Sequence, residues 1–325
     1  MDVLSDVLRV ARLKGGVFLH AEFSAPWCIA AQVTPDVCAP FMERVSHVIP
    51  YHYVVTGEML VSSGVAGTAP VRLRAGELVL FPHNDLHVMG STISRHPVSA
   101  DEIISPPSDQ GLFSIRHGGG GENVRLVCGF LGCDHAEMNP VLSTLPRMLV
   151  LDGDPGGGDE WIRSTFKFAA DEVATGRPGS TAVLGKLSEL LFVEAVRRYA
   201  EALPEGQTGW LAGLGDQYVA RALALFHADV ARDWSNDSLA AAVGLSRSAL
   251  ADRFSRLIGM APIHYLAHWR MQVAAQELCN SSASLAQIAH SVGYESEASF
   301  SRAFKKVFGT APASWRRDSI GNDRA

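Results

Sequence analysis

Hydrophobic and polar positions change period twice along this chain. From about Phe18 to Leu131 the apolar residues fall in short runs, several of them alternating with polar ones: FLHAEF, YHYVV, EMLVSS, VRLRAGELVLFP and VRLVCGF, cut by Gly, Pro and Asn. A period of two between turn residues marks half-buried strands, and strands this closely spaced predict a small β-barrel or sandwich. Between Ser94 and Gly121 the chain is rich in Pro, Ser and Gly and ends in HGGGG, which reads as a mobile loop. Its four glycines lack the Lys-Ser/Thr that a phosphate-cradling loop requires.

From Glu160 to Leu203 the period becomes helical. One amphipathic segment begins at Trp161 and Ile162, and Ser180 or Thr181 can cap a second running through LGKLSELLFVEAVRRYAEAL. Leucine lies on more than one side of the second segment. That fits a helical hairpin covering the strands as well as it fits a face for a second chain. PEGQTGWLAGLG, Pro204 to Gly215, reads as a linker, and QYVARALALFHADV beyond it as a helix.

The C-terminal region then nearly repeats itself about fifty residues apart. LAAAVGLSRSALADRFSRLIGMAP starts at Leu239 and IAHSVGYESEASFSRAFKKVFGTAP at Ile288. Ser246, Leu250, Phe254, Gly259 and Pro262 recur as Ser296, Phe300, Phe304, Gly309 and Pro312. Gly244 recurs as Gly293, with the second turn one residue longer. Each copy has a short apolar helix with an inward alanine (Ala240, Ala289), a glycine for the reversal and a serine to N-cap a second helix. That is helix-turn-helix logic. Apolar residues four apart commit one face of each second helix to the core and leave the other for a partner. A fragment of helical solenoid would look similar, but two copies are too few to build one stably.

At 325 residues the chain has room for two or three domains. MDVLSDVLRVARLKGG lacks the basic start, apolar block and cleavage site of a signal peptide, and no apolar run approaches the ~20 residues of a membrane span. Five scattered cysteines (Cys28, Cys38, Cys128, Cys133, Cys279) suit a reducing cytoplasm better than a disulfide framework. Charge is unevenly placed. Residues 1–215 hold 16 Lys+Arg and 24 Asp+Glu, a net −8, whereas 216–325 hold 12 and 10, a net +2. Between Ser246 and Arg317 the count is 9 against 4. A polyanion partner for the repeat follows naturally, although a surplus of this size is also compatible with a solvated face.

From about Asp216 to Arg317 the chain resembles the DNA-binding domain of AraC/XylS-type bacterial transcription regulators. The carriers are LAAAVGLSRSALADRF, the connecting PIHYLAHWRMQVAAQELC and IAHSVGYESEASFSRAFKKVFGTAPASWRR. The preceding strands resemble the cupin-type effector domains of that family, with GELVLFPHNDLHV the clearest segment. The resemblance implies an α+β chain: a cupin-like β-barrel sensor over 1–150, a helical coupling or dimerisation segment over 151–203, a linker over 204–215, and an all-α double helix-turn-helix domain over 216–320. If Pro262 starts the connecting helix and Asn280 ends it, ~18 residues span roughly 27 Å, enough to set two recognition helices in successive major grooves of double-stranded DNA.

Matching the family pattern residue by residue places Arg247, Ser248, Ala251 and Asp252 of the first recognition helix, and Glu297, Ala298, Ser299 and Arg302 of the second, toward the groove. Arginine bonds guanine bidentately, so Arg302 is the leading specificity residue; Arg247, at a helix start, fits either a base or a phosphate. Asp252 is acidic where a basic or neutral residue is expected. It can accept from cytosine, pair with Arg256 one turn later, or weaken the first unit's grip. Arg256, Lys305, Lys306, Arg316 and Arg317 are the candidate phosphate contacts.

In the barrel, Gly76, Pro82, Asn84 and His87 keep the spacing of a cupin's second motif, with Asn in place of its second glycine. The paired histidines and glutamate of the first motif are not recognisable, since His47 and His52 are wrongly separated. This argues against a metal-dependent cupin enzyme tethered to DNA, the competing reading, and no other acid–base or nucleophile constellation is evident. His52, His87 and Cys128 make one tentative Zn²⁺ site, with Cys133 or His135 as a fourth ligand; otherwise His52 and His87 bond to each other or to an effector. Trp27, Phe41, Tyr51, Tyr53 and Phe81 fit a pocket lining or plain core. No cysteine pair has CxxC spacing, which weakens a redox sensor. The expectation is a cytoplasmic, non-enzymatic regulator that binds DNA and a small-molecule effector, pairs as a homodimer through the 160–203 helices and, if an activator, contacts RNA polymerase.

Overall fold

The computed structural model describes the chain apart from residues 1, 12, 39–44, 65–68, 106–112, 135, 137–138, 152–159, 176–178, 205 and 323–325. It divides into two compact units, one of Arg12–Ala136 with Leu145–Glu201, the other of Met1–Ala11, Glu137–Thr144 and Ala202–Ala325. The chain opens with α1 (Val3–Ala11), which lies in the second of these.

Among the described residues the first unit has twelve strands. They are β1 (Lys14–Ser24), β2 (Cys28–Ala31), β3 (His47–Thr56), β4 (Glu58–Ser62), β5 (Val71–Arg74), β6 (Leu78–Leu80), β7 (His87–Gly90), β8 (Val98–Ser99), β9 (Ile104–Ser105), β10 (Phe113–Gly118), β11 (Asn123–Cys133) and β12 (Leu149–Leu151). Two short helices, α2 (Pro35–Cys38) and α3 (Ala100–Ile103), interrupt them. Seven strands form one sheet in the order β12-β6-β3-β11-β1-β10-β9 and five the other, β5-β4-β7-β2-β8. Alternation places Leu19, Ala21 and Phe23 of β1 and Leu126, Cys128 and Phe130 of β11 in one core with Ile29, Met59, Val61 and Met89 of the smaller sheet.

The expected loop from Ser94 to Gly121 is largely structured. It contains β8, α3, β9 and β10, and β10 pairs in parallel with β1 from Leu19 to Ser24. Its glycines serve close packing: a Cβ on Gly118 would collide with the Ser24 carbonyl, and one on Gly121 would lie 2.7 Å from the Ala25 oxygen.

Two helices, α4 (Glu160–Thr175) and α5 (Ser180–Glu201), complete the unit. Gly15 and Gly185 let α5 lie directly on β1, since a Cβ on either would run into the other's carbonyl oxygen. The Tyr51 and Ser188 hydroxyls bond at 2.6 Å across this junction. The hairpin therefore covers the barrel, while Val183 and Leu190 of α5 and Trp161 and Phe168 of α4 stay exposed.

The second unit is helical: α1, α6 (Trp210–Leu214), α7 (Gln217–Ala228), α8 (Asn236–Val243), α9 (Arg247–Ile258), α10 (Pro262–Asn280), α11 (Leu285–Ser291), α12 (Glu297–Phe308) and α13 (Pro312–Asn322). Local chemistry sets the boundaries. Ser246 and Ser296 N-cap α9 and α12, accepting from the Ala249 and Ser299 amides. Gly244, Gly259 and Gly309 end their helices in the left-handed region, and Pro262 starts α10. Leu250 and Phe254 bury one face of α9, Phe300 and Phe304 one face of α12.

Two boundaries differ from expectation. The linker contains α6, whose Trp210 and Leu211 are buried; the Trp210 indole donates to the Tyr265 hydroxyl at 2.9 Å, a partner 55 residues away. The sensor was expected to start at residue 1, but α1 buries Val3, Val7 and Ala11 with the helical unit, packing on α7 and α10. Their spacing of four makes a single apolar stripe. Asn139 fixes α1 further by donating to the Val7 carbonyl at 3.1 Å, and Asp6 lies 3.8 Å from Nδ1 of buried His227.

Candidate functional site

Each recognition helix presents the face opposite its buried pair. On α9, Arg247, Ser248 and Asp252 are exposed and Ala251 half-buried; on α12, Glu297, Ala298 and Arg302 are exposed and Ser299 half-buried. Lys305 and Lys306 continue the exposed face of α12, so Arg302 and two lysines lie within two turns of one another. The first helix is more compromised, because Arg247 faces Asp237 of α8 at 3.5 Å.

Two arginines, Arg256 and Arg316, behave differently from the sequence expectation. Among the described residues no ion pair joins Asp252 to Arg256; the arginine that α9 commits is Arg253, bonded at 2.6 Å to Asp216, the N-cap of α7. An exposed Asp–Arg pair one turn apart contributes only a few tenths of a kcal/mol, about 0.2–0.5, so water competes effectively. Arg316 is a clamp: it donates to the carbonyls of Leu278 at 3.3 Å, in the last turn of α10, and of Ala283 at 2.6 Å, in the turn before α11. Arg317 stays exposed, bonded to Ser314.

Arg270, midway along α10, was not singled out in the sequence. It donates to the carbonyls of Val230, Ala231 and Arg232 in the segment leading into α8. Gly293, the turn glycine of the other repeat, packs there with φ +80°, and a Cβ would lie 2.5 Å from the Ala231 oxygen and 2.7 Å from the Arg270 guanidinium. The two repeats are thereby fixed to each other through side-chain and backbone contact as well as through α10.

In the cupin unit, His52, His87 and Cys128 come together, all buried. Hydrogen-bond polarity can be assigned from one end. The Asp85 carbonyl only accepts, so His87 Nδ1 carries a proton and donates to it at 3.0 Å. His87 Nε2 then accepts from His52 Nε2 at 2.8 Å, and His52 Nδ1 accepts from the Cys128 thiol at 3.0 Å. Burial keeps every member neutral. It holds His52 well below the usual histidine value, reinforced by His87, lowers His87 to about 4 and raises the Cys128 thiol.

His52 turns different nitrogens to its two neighbours, so the three donor atoms form a chain and do not converge as the ligands of one ion must. Cys133 is buried at the end of β11, and His135 lies outside the described residues. Among the described residues no cluster of three or more His, Cys, Asp or Glu is arranged to hold a metal ion. Asn84 explains the departure from the cupin glycine: its φ is +54°, which asparagine tolerates, and its amide donates to the Val33 carbonyl at 2.6 Å.

Beside this chain lies a cavity lined by Leu19, Phe23, Ile29, Met89, Ile115 and Leu126, with His52 and Cys128 on one polar edge. Its volume is about 50 Å³. Trp27, Tyr51, Tyr53 and Phe81 do not line it: Trp27 stacks on Phe23, Phe81 stacks on His87 at 3.8 Å, and both tyrosines are core. Phe41 lies outside the described residues. No helix among the described residues is long and apolar enough to cross a membrane.

Residues 2–201 match the family model of a cupin domain, and residues 239–318 that of a helix-turn-helix domain. The chain is 34% identical over 321 residues to a Streptomyces lividans protein named as an AraC-like transcription regulator, covering 98% of each. It is 27% identical over 325 residues to the HTH-type transcriptional regulator AlkR of Acinetobacter baylyi, covering 98% of this chain and 100% of that one. The crystal structure of ToxT from Vibrio cholerae O395 aligns over 95% of this chain and 98% of its own, at 10% identity and a TM-score of 0.36.

Proposed function

The chain belongs to the AraC-like transcription regulators, with a cupin domain ahead of the DNA-binding domain, and from that premise we propose that a small, mainly apolar molecule with one hydrogen-bonding group controls its occupancy of DNA. The protein is a regulator, not an enzyme. The carrying observation is the cavity in the cupin unit, whose walls are mainly apolar, with His52 and Cys128 forming one polar edge and Gln32 and Asp101 as its other polar members.

At about 50 Å³ the cavity is tight. An apolar cavity of about 150 Å³ holds benzene, so even a compact effector must part these walls. That requirement supplies the regulatory logic: a ligand that fits only a widened barrel shifts the population toward it by its differential affinity. The polar group of the ligand meets His52 or the Cys128 sulfur, leaving the His52–His87 bond in place.

Selection of bound sequences from randomised double-stranded DNA, with and without a panel of small apolar alcohols, acids and phenols, tests this. One or more compounds should change occupancy of the selected site, and Ala31→Leu, which fills the cavity from β2, should abolish that response. A response that survives Ala31→Leu unchanged would place the effector elsewhere.

A second copy of the chain is the proposed cover for the exposed apolar side chains of α4 and α5. Leu190, 47% exposed, is the critical position. Sedimentation at micromolar concentration should show a dimer that Leu190→Glu converts to monomer; a monomeric wild-type chain would remove the proposal.

A further inference from the structure

The connecting helix α10 carries two histidines one turn apart, His264 and His268, in the run HYLAH. Their side chains converge. The Nε2 atoms are 3.2 Å apart, the rings stand at 82° to each other, and the centroids are 4.6 Å apart. His264 is exposed and His268 half-buried, so the pair is open to solvent.

We infer that His264 and His268 form a two-histidine site for a borderline divalent transition ion, Zn²⁺, Ni²⁺ or Cu²⁺. Two metal–nitrogen bonds of about 2.0–2.1 Å close a gap of this size at an angle of about 100–105°, between the right angle of square or octahedral coordination and the tetrahedral angle. Positions i and i+4 are the spacing at which a helix offers two imidazoles to one ion. The two Nε2 atoms face each other across a hydrogen bond, and an ion entering the gap displaces the one proton that joins them.

The surroundings select the class of ion. Imidazole is a poor ligand for hard Mg²⁺ and Ca²⁺, and no carboxylate bonds either histidine among the described residues. Lys306 of α12 is close enough for its charge to bear on His268. That charge disfavours a dication held by Coulomb attraction alone and leaves ions that gain their affinity from nitrogen donors. Water completes the coordination sphere.

The site is independent of any ligand in the barrel and can be tested without one. Full-length chain freed of its affinity tag is titrated with Zn²⁺ and with Ni²⁺ by calorimetry, alongside His264→Gln, His268→Gln, the double variant and His87→Gln. Glutamine keeps helix propensity and bulk at these solvent-facing positions, and far-ultraviolet dichroism with melting curves checks that each variant folds. The expected result is one ion per wild-type chain, at least tenfold weaker binding in each single connector variant, loss in the double variant and retention in His87→Gln. Unchanged binding in the folded double variant overturns the inference, as does the lack of stoichiometric binding by wild type up to millimolar metal. Loss in folded His87→Gln with retention in the double variant overturns it too, and moves the ion to the barrel.

Discussion

Arg302 is exposed on α12 with no ion pair of its own among the described residues, and its planar fork suits the edge of a guanine. Arg302→Ala should cost about 1–3 kcal/mol on the preferred sequence and little on scrambled DNA, measured by competition binding; equal losses would reduce it to a phosphate contact. Lys305→Ala and Lys306→Ala should each lower the salt slope of log affinity by about one, on either DNA. In the other unit, His87 makes an acid-side prediction. An unfolded histidine takes up its proton near pH 6.5, the folded His87 only at about 4. Between those values the unfolded chain binds more protons, so stability rises with pH there, and acidification through this window should remove up to about 3 kcal/mol. Denaturant melts of the cupin unit at stepped pH would show it, and His87→Gln should flatten the decline.

At the scale of elements, the two turn glycines separate conformational need from steric need. Gly244 has φ +83° and nothing within 4 Å of where a methyl would sit, whereas Gly293, at φ +80°, would drive a methyl into the Ala231 carbonyl. Gly244→Ala should therefore cost about 1–2 kcal/mol, the left-handed penalty alone, and Gly293→Ala distinctly more, as thermal denaturation would report. The serine caps, the glycine stops and the proline starts of α9, α10 and α12 were readable because their chemistry is local. Arg253, Arg270 and Arg316 were not, since an arginine that bonds a carboxylate or carbonyl 33 to 40 residues away looks in sequence like any surface cation. The same reason hid α6: GWLAGLG reads as loop until the indole of Trp210 finds Tyr265. The HYLAH spacing was visible, but the convergence of its two nitrogens is a property of rotamers.

For the molecule as a whole, the repeat and the strand pattern made both units legible, and His52, His87 and Cys128, grouped in the sequence as a tentative Zn²⁺ site, come together from separate strands as a hydrogen-bonded chain. Its hydrogen-bond direction was not legible, because that depends on the Asp85 carbonyl at one end. Nor was the place of α1, whose partners α7 and α10 begin more than 200 residues later. The acidic surplus of residues 1–215 beside a basic recognition region means that the charge attracting DNA is concentrated on the repeat. The docking of α1 also bears on how the protein is made. Its stripe of Val3, Val7 and Ala11 leaves the ribosome before its cover on α7 and α10, which follows more than 200 residues later. The strands between can fold while α1 waits, and the helical unit closes over that helix only after α7 and α10 have been made, so a chain cut short before α7 is left with that apolar stripe bare.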